Sequence, residues 1–199
     1  MQKVAKRNAA VTAAYQSIHH FFDLYHLPNA LQYLEGLIEA ASHNKIWKQV
    51  IPANLLFFTK QMDTLCNAAH TIHYAKAHNS AAIITPSKKD DMPQLQQHQQ
   101  YVRPGVTSTP WHCVPRHLDS QQYHNPYKVI KKIATAMPVG RWSLTLHDLL
   151  LCAFSNESIS ETWPVYKLLQ VRKMLLVMVE AFHLIEIRCL SNKNKAKAS

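Results

Sequence analysis

Glu180 and His183 stand three residues apart, a spacing that puts a carboxylate and an imidazole on one face of a helix. Carboxylate-bridged di-iron bundles use that pair twice, together with two more glutamates on facing helices. Here no second E-x-x-H occurs, and the position matching Glu180 in the first half of the chain is Asn67. His70 and His73, with Glu35 or Glu39 from the preceding helix, have the ligand types for a mononuclear metal site. An apolar seam passes between them through Ala69 and Ile72, so His70 and His183 are expected to be half-buried and hydrogen-bonded where helices pack. As metal ligands His70, Glu180 and His183 are minor candidates, and no cofactor is implied.

A second constellation is Arg141 followed at six residues by His147. Such a pair could cleave RNA, with His147 moving the proton of a 2′-hydroxyl and Arg141 steadying the phosphate. Its R-x4–6-H spacing resembles the active-site motif of HEPN-type ribonucleases, small helical domains that work as dimers. The likeness spans seven residues, and Trp142 stands where that family usually has a polar residue. The structural alternative places Arg141 and His147 on the polar side of an amphipathic helix whose other side is Leu144, Leu146, Leu149 and Leu150. Lys128, Lys131 and Lys132 share one helix face just before Arg141, with Tyr123 and Tyr127 near enough to stack on bases. Residues 126–154 also have the outline of a helix-turn-helix, but after Arg141 the second helix has few long donors and carries Asp148.

Other catalytic patterns are missing. There is no G-x-S-x-G, no H-E-x-x-H and no H-x-E with P-C-x-x-C. With glycine only at 36, 105 and 140, no glycine-rich phosphate loop can be written, and an all-β fold is disfavoured. Cys113 lies between His112 and His117 in a proline-rich arm, a poor setting for an activated thiolate. The four cysteines have no C-x-x-C pair, which points to reduced thiols and a cytoplasmic compartment. No run of 18 uncharged, mainly apolar residues exists, and the first fifteen residues lack a signal-peptide core, so no membrane association is expected.

The formal charge of +10 suggests nucleic acid until it is divided along the chain. It becomes +3 over residues 1–79, +1 over 80–122, +3 over 123–190 and +3 over the short tail 191–199. No segment is a basic domain.

Apolar spacing predicts helices over about 8–26, 29–42, 52–78, 126–137, 139–154 and 162–188. Pro28 is expected to close the first helix and Asn29 to cap the second. Leu55, Phe58, Met62, Leu65, Ala69 and Ile72 form a heptad-like seam for lengthwise packing of the third helix. The sixth helix is apolar nearly all round, from Val165 to Ile185, as a central helix would be. Between the third and fourth, residues 80–122 hold five prolines and a Gln-rich stretch, and read as a partly disordered linker whose end, Thr109 to Leu118, could lie as an arm on the second half.

The halves also resemble each other. At an offset of 112, Tyr15 matches Tyr127, Ile18 matches Ile130 and Leu34 matches Leu146; at 113, Leu55 matches Leu168 and His70 matches His183. The sequence therefore predicts an all-α bundle of about six helices, as two similar three-helix units, 8–79 and 123–190, joined by the 80–122 linker and followed by a basic tail. Its expected role is non-enzymatic: an adaptor, regulator or accessory subunit that binds a protein partner or itself, with possible nucleic-acid contacts through Lys128, Lys131, Lys132 and Arg141. The alternative is the HEPN-like ribonuclease.

Overall fold

A computed structural model describes residues 2–43, 47, 51–75 and 114–198, with side chains described from 7 to 189. Among them are seven α-helices, one 3-10 turn and no strand. The helices are α1 (Gln2–Leu24), α2 (Leu27–Ser42), α3 (Pro52–Tyr74), α4 (Ser120–His124), α5 (Tyr127–Ala136), α6 (Val139–Phe154) and α7 (Val165–Ala198), with the 3-10 turn at Ile159–Glu161. The fold class is the all-α bundle that the apolar spacing predicts.

Several boundaries differ for local reasons. Pro28 does not close α1; it sits in the first turn of α2, where its missing N–H costs nothing, and Asn29 is inside the helix. Helix α4 begins at Ser120, inside the 80–122 stretch expected as linker, and runs two residues past its end. Asp119 caps it by accepting from the Gln122 N–H while the Gln122 side chain accepts from the Asp119 N–H, a capping box that the surrounding prolines obscure in the sequence. Helix α7 continues ten residues past Arg188, through the lysine-rich tail. No Gly or Pro interrupts that segment, and lysines suit a helix C-terminus. The Gln-rich stretch, Trp111 and Cys113 lie outside the described residues.

All six seam residues of α3 are fully buried. The three and four spacing lets this helix bury side chains against α1, α5 and α6 along its length. Helix α7 is enclosed from Met174 to Arg188, every residue being buried, as expected for a central helix. Its first turns are not: Val165, Tyr166 and Leu169 are exposed, against the expectation that the apolar character of Val165 and Leu169 meant burial. Helix α6 lays Trp142, Leu146, Leu149, Leu150 and Ala153 on α2 and α3. The Trp142 indole N–H donates to the Ile133 carbonyl at 3.2 Å, pinning the turn between α5 and α6.

One apolar core runs through residues of both halves. The main packings come in matched sets. Exchanging α1, α2 and α3 with α5, α6 and α7 turns α1–α3 into α5–α7, α2–α7 into α6–α3, α3–α5 into α7–α1, and α2–α6 into itself, and all of these contacts are present. The hydroxyls of Tyr15 and Tyr127, a pair matched at the 112 offset, are 2.7 Å apart, and across the halves the Cys66 thiol lies 3.9 Å from the Met178 sulfur.

Candidate functional site

The buried length of α7 carries a line of polar residues, Glu180, His183, Glu186 and Arg188, inside an otherwise apolar enclosure. A buried carboxylate is costly unless its oxygens are satisfied. Both oxygens of Glu180 are. Oε1 accepts the Arg116 N–H at 2.8 Å and Oε2 the His117 and Leu118 N–H groups at 2.8 and 3.1 Å, while His117 Nδ1 lies 2.8 Å from Oε1. Three consecutive backbone donors thus converge on one carboxylate, an arrangement that suits an anion. Four contacts match the acceptor capacity of an ionised carboxyl group. Glu180 is therefore the anchor that ties residues 116–118 to α7, and the His117 ring completes its shell.

The same helix is tied to α1 by Glu186, whose Oε1 is 2.7 Å from His19 Nδ1. Arg188, almost fully buried, places its guanidinium 5.3 Å from the Tyr123 ring centre. His183 is buried as well and packs its ring 5.2 Å from that of Phe22 on α1. His70 sits elsewhere, on the last turns of α3, where the Met137 backbone, at the turn between α5 and α6, acts on its ring. No group of three or more His, Cys, Asp or Glu side chains with metal-site spacing is present among the described residues. The structure accordingly does not assemble Glu180 and His183 with a second carboxylate pair, nor His70 and His73 with Glu35 or Glu39. Glu35 instead pairs with Arg172 of α7 at 2.6 Å, on the surface.

His70 combines burial with an unsatisfied atom. Its side chain is 7% exposed, and its Nε2 is buried with no hydrogen-bond partner. His73, one turn on, has a buried and unpartnered Nδ1. Tyr74 packs beside both, its ring centre 5.8 Å from that of His70 and 4.9 Å from that of His73. Burial pushes the His70 imidazole below its usual range; the Met137 contact opposes this in part, and the nearby His73 adds to it. His70 is thus a neutral ring at pH 7. Burial also raises the Cys66 thiol far above its usual range, with Asp63 adding to the effect, so this cysteine is a packing residue and not a nucleophile.

The arm that Glu180 holds also forms one wall of a groove of about 450 Å³. Val114, Arg116 and His117 line one side, and Pro28, Leu31, Gln32 and Glu35 of α2 the other. The remaining sequence candidates lie outside. Lys128, Lys131 and Lys132 are exposed on α5, opposite Val129, Ile130 and Ile133, and the Lys128 ammonium donates to Gln121 at 2.9 Å. Arg141 and His147 are both exposed on α6. At 100° per residue they flank Leu144 on the outer side of the helix, about 120° apart. Leu144 was expected on the apolar face; it is exposed, as is Leu151, because both project opposite Trp142 and Leu149.

Residues 116–118, part of the stretch expected as an arm on the second half, do contact α7; sequence reading missed Glu180 as their anchor, the groove, and the exposed leucines of α6. Only the last had a signal, since helical phase sets Leu144 and Leu151 apart from Leu146, Leu149 and Leu150. Pairing between Glu180 and residues 62 to 64 positions earlier in the chain has no local signature. No protein-family model, no curated protein and no solved structure matches the chain.

Proposed function

We propose that the chain is a helical interaction protein, an adaptor, regulator or accessory subunit built from two similar three-helix units, that engages a protein partner or a second copy of itself through the outer side of α6. One observation carries this reading: Leu144 and Leu151, two turns apart and each 54% exposed, face away from a core that the same helix fills on its other side. Large apolar side chains aligned on one exposed helix face are a feature of association surfaces. Val165, Tyr166 and Leu169 provide a further exposed apolar group at the start of α7. The matched packings and the Tyr15–Tyr127 contact support the two-unit construction.

A photo-crosslinking residue at position 144 or 151, compared with one at the exposed Thr135, tests the surface. Cross-links formed at 144 and 151 but not at 135 are expected, and they should vanish in a Leu144→Glu, Leu151→Glu double variant whose circular dichroism is unchanged. Equal cross-linking at all three positions would remove the proposal. The ribonuclease alternative has its own outcome: cleavage of a labelled RNA pool by the wild type that is lost in His147→Ala would replace the interaction reading with catalysis. Salt-dependent retention on a nucleic-acid column that falls when Lys128, Lys131 and Lys132 become Gln would add nucleic acid to the partners.

A further inference from the structure

We propose that His70 and His73 form an open two-imidazole site for a transition-metal ion of the nickel, copper and zinc series, its remaining positions filled by water or by an exogenous ligand. Three observations converge on it. The two rings are three residues apart on one helix, the spacing at which side chains of successive turns are neighbours. Each ring presents a buried nitrogen that no hydrogen bond satisfies, Nε2 of His70 and Nδ1 of His73. Buried polar atoms left this way are rare, and one metal ion bound by both rings would satisfy the two together.

The third observation concerns orientation. The Met137 backbone lies close enough to the His70 ring to oppose the effect of burial on it, while Nε2 has no hydrogen-bond partner. A neutral imidazole that donates its proton from one nitrogen offers a lone pair from the other. This is how backbone carbonyls orient metal-bound histidines in proteins. The Tyr74 ring packs beside both imidazoles.

No further His, Cys, Asp or Glu joins the pair among the described residues, so the site is open rather than a closed structural centre. Two imidazole nitrogens and no thiolate or carboxylate select ions that favour imidazole, and for such a donor set Cu2+ binds more tightly than either Ni2+ or Zn2+. Hard, oxygen-seeking ions such as Mg2+ and Ca2+ are excluded.

The test titrates the full chain, freed of metal by a chelator, with CuCl2, NiCl2 and ZnCl2, reading calorimetric affinity, melting temperature and X-ray absorption of the copper form. Expected are one saturable equivalent, Cu2+ the tightest of the three, a melting temperature that rises with metal concentration, and two imidazoles bound to copper. His73→Ala, which alters a partly exposed side chain, should weaken binding by about tenfold or more, the least that loss of a direct ligand would cost given the effect of outer-shell partners alone. His70→Gln should do the same, and His20→Ala, at an exposed site on α1, should leave binding unchanged. Absence of a saturable site, fewer than two imidazoles on copper, or affinity unchanged by His73→Ala would overturn the proposal. Should His70→Gln fail to fold, the His73→Ala result decides.

Discussion

Glu180 shows how a charge survives at the centre of an apolar helix: its two oxygens accept three backbone N–H groups and face one imidazole nitrogen. Hydrogen bonds to charged groups contribute about 1.5–3 kcal/mol each, and removing one partner of such a cluster leaves the others buried and unsatisfied. Glu180→Gln turns an amide NH2 toward backbone donors and should cost about 3 kcal/mol of unfolding free energy. The accompanying signature is local. Amide hydrogen exchange at residues 116–118 should accelerate well beyond that at Ile130 or Leu149, whereas a uniform increase across all of them would mean that Glu180 matters only to global stability. His117→Ala keeps the three backbone bonds and should cost less than Glu180→Gln in the same denaturant titration.

Among the elements, α3 and α6 respond to opposite kinds of substitution. Met62 is fully buried in the seam of α3, where that helix meets its neighbours. Met62→Ala should lower stability by about 2–5 kcal/mol through lost burial and a residual cavity. Gly140 lies in the first turn of α6, and a methyl group there would meet nothing within 4 Å. Gly140→Ala should therefore stabilise the protein by about 0.5–1 kcal/mol, because alanine loses less backbone freedom in forming the helix. A loss of stability in that variant would show that the first turn of α6 is not helical in solution.

At the scale of the whole molecule, the continuous core predicts one transition. Urea unfolding followed by tryptophan fluorescence and by far-UV circular dichroism should coincide, and separated curves would show that the two halves fold independently. The Tyr15–Tyr127 contact provides a second measurement. Tyr15→Phe and Tyr127→Phe each break the 2.7 Å hydroxyl pair, and their double-mutant cycle should give a coupling of about 1 kcal/mol. Additive effects would place the two hydroxyls out of contact.

By itself the sequence determined what depends on neighbours three and four residues away. The seam of α3, the extent of α6, the enclosure of α7 and the all-α class follow from apolar periodicity and the scarcity of glycine, since a helix closes its backbone hydrogen bonds within its own segment. The hydroxyls of Tyr15 and Tyr127, a pair that the 112-residue offset matches, lie 2.7 Å apart. Tertiary structure decided the rest. Whether Glu180 would bind a metal, face solvent or hold residues 116–118 depends on chain more than sixty residues away. Likewise, the burial of His70 and its contact with Met137 come from α5 and α6 packing on α3, and the exposure of Leu144 and Leu151 from the lack of such a neighbour among the described residues. Spacing along a helix fixes which side chains share a face; only packing decides what that face meets, and so which polar atoms are satisfied and which are left to bind something else.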